Sequence, residues 1–189
     1  MTAAAGPSEK RVSYAAFLRG INVGGHRSIK MADLRAAFTA QGFADVKTVL
    51  ASGNVRFMAA ESDASALRGT IERCLRQEFG YDIPVLLRTV ADLERLELAN
   101  PFEEVVITPQ TRLYVTFLPE GEATHTMTLD DLAADGFTLV RATASEVCSV
   151  FTLAPQRSTI DLMTLLEREF GPNITTRTWN TITRLLAAR

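Results

Sequence analysis

Leu75-Arg-Gln-Glu-Phe-Gly-Tyr-Asp-Ile83 is the stretch on which the fold turns, because Leu166-Glu-Arg-Glu-Phe-Gly-Pro-Asn-Ile174 repeats it in register. Glu78, Phe79, Gly80 and Ile83 recur as Glu169, Phe170, Gly171 and Ile174. Each copy reads as the end of an amphipathic helix, a glycine stop and the start of a strand. That pattern alone is common. What makes it a duplication is the order of elements on either side.

Upstream of the first copy, Tyr14-Ala-Ala-Phe-Leu-Arg19 is a short apolar run with strand character. Met31, Leu34, Ala37 and Phe38 form one apolar stripe, which predicts a helix over Ile29–Gln41 stopped by Gly42. Val46–Ala51 and Val55–Met58 read as two strands joined by the turn Ser52-Gly53-Asn54. Ser62 or Asp63 caps the helix carrying Leu67, Ile71, Leu75 and Phe79, and Ile83–Arg88 follows as a fourth strand. The order β-α-β-β-α-β is the ferredoxin-like arrangement. Thr89 then caps a short linking helix with Leu93 and Leu96, which stops before Asn100-Pro101-Phe102.

A second cycle begins at Arg112–Leu118. Thr128 caps a helix with Leu129 and Leu132 that ends at Gly136. Phe137–Ala142 and Val147–Leu153 are strands, and Ile160, Met163, Leu166 and Phe170 share one helix face. Trp179, Ile182, Leu185 and Leu186 have helical spacing, so this cycle is expected to close on a helix in place of a fourth strand. The fold class is therefore α+β: two ferredoxin-like, split β-α-β halves related by duplication, closing on a C-terminal helix. The expected divisions are a tail over 1–11, a first half over 12–90, a linking helix with the Asn-Pro-Phe segment over 91–110, and a second half over 111–189. Ile83, Val85 and Leu87 alternate with Pro84, Leu86 and Arg88, so the first sheet is expected to bury both faces.

The chain has 189 residues, 47% hydrophobic and 22% charged, with a net charge of −2. Such a chain can bury a full core without staples. The charge offers no global attraction to nucleic acid or anionic membrane, so nucleic acid is a disfavoured partner and an anion site would be local. No apolar run is long enough to span a bilayer. The two cysteines, Cys74 and Cys148, read as buried reduced thiols, which suits a cytoplasmic location. The start of the chain lacks the apolar core of a signal peptide. His26 and His125 are the only histidines. No His, Cys and carboxylate set has metal-ligand spacing, so neither metal nor cofactor is expected. No nucleophile has an identifiable base, and the residues name no reaction.

Polar chemistry concentrates in three loops. Arg19-Gly-Ile-Asn-Val-Gly-Gly-His-Arg-Ser-Ile-Lys30 joins a strand to a helix, with three glycines and no acid. Glycines let backbone N–H groups turn toward a ligand, and a helix start attracts anions. It is neither a Walker loop nor a dinucleotide fingerprint. The hairpin Ser52-Gly53-Asn54 leaves the same sheet edge, as does the loop around Tyr81 and Asp82. Thr175-Thr-Arg-Thr-Trp-Asn-Thr181 opens the last helix, where Thr178 is a ready cap and Trp179 a ready anchor.

Three readings follow. In the first, Arg19, Asn22, Gly24, Gly25 and Lys30 supply donors to a small anionic or phosphate-bearing ligand, and Ser52, Asn54, Arg177, Trp179 and Asn180 complete the pocket where the two halves share loops. In the second, Tyr14, Phe17 and Phe57 form a stacking platform on the sheet for RNA or a single strand. In the third, glycine turns and caps serve folding alone, in a non-catalytic interaction module.

The chain also resembles a widespread bacterial family known only as a domain of unknown function. The matching residues are Leu18–Gly25, Ile29-Lys30-Met31, Ser52–Val55, Asn100-Pro101-Phe102, Tyr114–Leu118, Thr175-Thr176-Arg177 and Trp179-Asn180-Thr181. Thr178 departs from the asparagine such proteins commonly carry. The resemblance covers nearly all of the chain after the tail. It implies two ferredoxin-like halves and no particular reaction.

Overall fold

The computed structural model describes residues 10–24, 28–119, 137–153 and 159–188, with side chains in the last stretch described from Met163 onward. The expected helix capped by Thr128, together with Gly25, His26, Arg27 and His125, lies outside the described residues. The chain forms two compact units, one running to Asp92 and the other spanning Leu93–Ala187.

The first unit contains β1 (Arg11–Leu18), α1 (Met31–Ala40), β2 (Ala44–Val49), β3 (Asn54–Ala60), α2 (Ala64–Phe79) and β4 (Val85–Thr89), leading into α3 (Val90–Leu98). Its sheet has the order β2-β3-β1-β4, antiparallel throughout. Alternation along the strands sends Tyr14, Ala16 and Leu18 of β1 and Val55 and Phe57 of β3 to the face carrying Leu34, Phe38, Leu67, Ile71 and Leu75 of the helices. Phe57 is the centre of this core. Tyr14 stacks on it at 5.8 Å, Phe38 meets it edge-on at 5.3 Å and Phe43 tilts against it at 4.7 Å. On the opposite face Ala15, Phe17 and Leu86 are also buried, as the two-sided apolar pattern requires.

Helix ends follow local chemistry. Asp63 accepts from the Ala66 N–H at 2.9 Å to start α2, and Gly80 ends it with φ +81°. Gly171 ends the corresponding helix of the second unit with the same φ of +81°. Helix α1 begins at Met31 where periodicity alone predicts Ile29, because Lys30 is extended and the Ile29 carbonyl, which a helix starting there would use, accepts from Asn22 Nδ2 at 3.0 Å.

The second unit holds β5 (Thr111–Phe117), β6 (Phe137–Ala142), β7 (Glu146–Thr152), α4 (Thr159–Phe170), β8 (Thr175–Thr178) and α5 (Trp179–Ala187). Its sheet order, β6-β7-β5-β8, repeats that of the first. Here the sequence expectation is corrected: a fourth strand precedes the final helix. Thr-Thr-Arg-Thr is four polar residues, too short and too hydrophilic to show a strand period.

Register makes the repeat explicit. Phe17 faces Leu86 and Phe117 faces Thr175; two residues earlier, Ala15 faces Arg88 and Val115 faces Arg177. Arg88 and Arg177 therefore occupy equivalent places. Each guanidinium donates to the carbonyl just before it, Leu87 O at 2.6 Å and Thr176 O at 2.9 Å. Each is followed by a capping threonine: Thr89 Oγ1 accepts from the Asp92 N–H at 3.1 Å, and Thr178 Oγ1 from the Thr181 N–H at 3.3 Å. The strand–Arg–Thr–helix ending is thus part of the duplicated unit, and α5 is the counterpart of α3.

Both cysteines are free and buried. Burial raises the Cys74 thiol, helped by nearby Glu78 and opposed by a hydrogen bond from Gln41. Burial also pushes Cys148 from 9.0 up to about 12, with Glu146 adding to the shift and Arg141 opposing it. The fold holds these protons more tightly than the unfolded chain does. Above the unfolded thiol value the unfolded state has lost the proton and the native state keeps it, so stability falls as pH rises. Urea unfolding of wild type and Cys148→Ala from pH 8 upward checks this. The wild type should lose stability more steeply than the variant as pH climbs through 9.0 toward about 12. Iodoacetamide should label Cys148 only after unfolding.

Candidate functional site at the loop end of the first unit

The loop after β1 is built by one side chain. Asn22 Nδ2 donates to Ile29 O at 3.0 Å and to Ala51 O at 2.7 Å, while its Oδ1 accepts from the Ile29 N–H at 2.8 Å. One amide thus closes the loop on itself and ties it to the β2–β3 hairpin. Asn22 sits at φ +56°, between Gly20 at +67° and Gly24 at +62°, so every second residue of 20–24 is left-handed. Asparagine tolerates that region better than other residues with a Cβ. Ile21 and Ile29 are buried and anchor the loop to the core below.

The hairpin meets this loop directly. The Leu18 N–H donates to Gly53 O at 2.8 Å. Gly53 has φ +77°, and a Cβ there would lie 2.6 Å from Ile21 Cδ1 and 3.0 Å from Leu18 Cβ. Only glycine satisfies both the dihedral and the space. Asn54 is fully buried, and its Nδ2 donates to Val49 O at 2.8 Å and Ser52 Oγ at 3.1 Å, closing the turn from within. The α2–β4 connection joins the same end through Arg19 N–H to Pro84 O at 2.9 Å.

The structure thus brings Arg19, Asn22, Gly24 and Lys30 to one edge with Ser52 and Asn54. The asparagine amides are engaged in holding the loops. Exposed in this loop are Gly20, Val23, Gly24, Ser28 and Lys30, with Arg19 half-buried. Gly25 is outside the described residues.

Arg177, Trp179 and Asn180 belong to the second unit. Arg177 is half-buried and donates to Thr175 Oγ1 and Thr176 O, both at 2.9 Å. Trp179 packs edge-on against Phe102 at 5.3 Å. Asn180 is exposed in the first turn of α5. Tyr14, Phe17 and Phe57 are all buried, so these rings offer no stacking surface to a nucleic-acid base.

A groove of about 420 Å³ lies between α2 and the approach to β4. Gly69, Glu72, Arg73 and Arg76 line it from the helix, and Asp82 and Pro84 from the strand side. Arg76 is ion-paired with Asp82. The sequence reading singles out none of these helix positions; the one signal it could have used is Gly69 inside an otherwise good helix. Among the described residues no three His, Cys or carboxylate groups gather where they could hold a metal ion. No helix among them is long and apolar enough to cross a membrane.

Two substitutions test the loop architecture. Asn22→Ala removes three hydrogen bonds and puts alanine in the left-handed region, and should cost about 2–3 kcal/mol in urea unfolding. Gly53→Ala should cost at least about 1 kcal/mol, because both the dihedral and the contact with Ile21 oppose it. Lys30→Ala, an exposed change, should stay within about 0.5 kcal/mol of wild type.

The fold has a solved relative. A structure described as the conserved bacterial protein SP0830 from Streptococcus pneumoniae is similar, with a TM-score of 0.71 and 23% identity over 95% of this chain and 99% of that one. At that identity the likeness is one of fold. No curated protein matches the sequence. Residues 12–146 match the model of a family described as protein of unknown function (DUF1697). The two sheets of matching strand order, the loop clamped by Asn22 and the hairpin closed on Asn54 are therefore those of a member of the DUF1697 family, to which this chain belongs.

Proposed function

We propose that the protein binds a small anionic, phosphate-bearing ligand at the loop end of its first unit. The observation that carries this reading is the alternation of left-handed residues at 20, 22 and 24, held by the Asn22 amide. Backbones that alternate in hand turn successive N–H groups toward one side and form anion-binding concavities. Arg19 and Lys30 flank the segment and supply cationic charge, with Ser28 as a hydroxyl donor. Asn22, Ser52 and Asn54 act as scaffold, fixing the donors before the ligand arrives, which lowers the entropic cost of binding. A net charge of −2 makes this local cationic edge the place where an anion is favoured.

Calorimetric titration with inorganic phosphate and pyrophosphate tests the reading. Wild type should bind pyrophosphate more tightly than phosphate. Arg19→Ala and Lys30→Ala should each weaken binding about tenfold or more, since a charge-assisted hydrogen bond contributes about 1.5 kcal/mol or more. Affinity unchanged in both variants, or no heat with either anion at millimolar concentration, overturns it.

A further inference from the structure

We propose that the groove between α2 and β4 is a separate binding site for a short zwitterionic ligand of the amino-acid or dipeptide class. Its wall is a sheet edge. β4 is the last strand in the order β2-β3-β1-β4. The Arg19 N–H bonds to Pro84 O, so in this antiparallel ladder Pro84, Leu86 and Arg88 turn their backbone groups toward β1, and Val85 and Leu87 turn theirs outward. The outward Val85 N–H is held by the Glu72 carboxylate, with Oε1 at 2.9 Å. The groove therefore already accommodates a carboxylate against strand backbone at one end.

The lining also carries the opposite charge. Arg73 is exposed and donates to Thr70 Oγ1 at 3.1 Å, and among the described residues it has no ion-pair partner, whereas Arg76 is paired with Asp82. Glu72 and Arg73 are successive helical residues, about 100° apart around the helix, so they present an acid and a base at separate points of one cleft. A ligand with an ammonium and a carboxylate at its two ends satisfies both. A simple anion meets Glu72, and a simple cation meets Arg73. The cleft, at about 420 Å³, lies within the range of small-molecule sites.

The duplication supplies an internal control. Aligned on Gly80 and Gly171, the second unit keeps Leu166, Phe170 and Ile174 where the first has Leu75, Phe79 and Ile83. Yet it carries Ile160, Met163, Thr164 and Glu167 where the first has Gly69, Glu72, Arg73 and Arg76. The same element is thus built in the second unit without counterparts of Glu72 and Arg73 and without a glycine inside the helix. Gly69 is not demanded by packing either: a Cβ there would meet only Arg73 Nη1, at an ordinary 3.5 Å. A glycine inside a helix costs about 1 kcal/mol relative to alanine. Here it leaves the cleft open.

The experiment is an amide-resolved NMR titration of the full chain with L-alanyl-L-alanine, using acetate and methylammonium as single-charge controls. The dipeptide should shift Gly69, Val85 and Leu87 in a saturable way, and neither control should match it at equal concentration. Arg73→Gln, an exposed change, should weaken dipeptide binding roughly tenfold. Gly69→Ile, which installs the second unit's residue, should abolish it while leaving the rest of the spectrum in place. Dipeptide shifts confined to Gly20–Gly24, shifts reproduced by acetate alone, or no shift at millimolar dipeptide would each overturn the proposal. Because pyrophosphate is read at the loop and the dipeptide at the groove, either site can fail without the other.

Discussion

The loop-end site proposed for the first unit depends on the Asn22 side-chain amide. Three hydrogen bonds converge on it, at 2.7, 2.8 and 3.0 Å, joining the two ends of the β1–α1 loop to each other and to the hairpin between β2 and β3. A loop with glycines at 20 and 24 is expensive to order, because glycine loses the most backbone freedom on folding. The amide supplies the compensating contacts, and the buried Ile21 and Ile29 hold the loop against the core. Gly53 and Asn54 complete the arrangement from the hairpin side, one by having no Cβ and the other by filling the turn from inside.

This division of labour changes the meaning of a polar loop. Asparagine in a glycine-rich segment invites assignment as a ligand donor. Here its donors and acceptor are spent on backbone partners, and in the proposed site ligand contact is left to main-chain N–H groups and the flanking cations. The same separation holds at β4 and β8, where Arg88 and Arg177 bond to the carbonyl of the preceding residue and a threonine caps the helix that follows. In both places a polar cluster conspicuous in sequence is largely an answer to the demand that buried or edge backbone groups find partners.

Much of the fold was legible because its signals are strong. The 3.6-residue stripes of α1 and α2, the left-handed glycine stops at 80 and 171, and the Glu-Phe-Gly repeat fix element order and duplication without reference to contacts. What was not legible was short or polar. β8 is four residues of Thr and Arg with no apolar alternation, and it became a strand only through pairing with β5. The start of α1 lies two residues later than periodicity predicts because Asn22, seven residues earlier, captures the Ile29 carbonyl. At the site, the meeting of the first loop with the hairpin followed from topology. The α2–β4 groove did not, since Glu72 and Arg73 look like any solvated helix pair until the outward-facing Val85 amide is placed beside them.

The central claim is that the loop is rigid before any ligand binds, and native-state amide hydrogen exchange of Ile29 and Leu18 tests it most directly. The Ile29 N–H donates to Asn22 Oδ1 and the Leu18 N–H to Gly53 O. In ligand-free protein they should exchange as slowly as strand amides of the first unit's core, and Asn22→Ala should release Ile29 to fast exchange. Fast exchange of Ile29 in the wild-type protein, with the core amides still protected, would contradict the account.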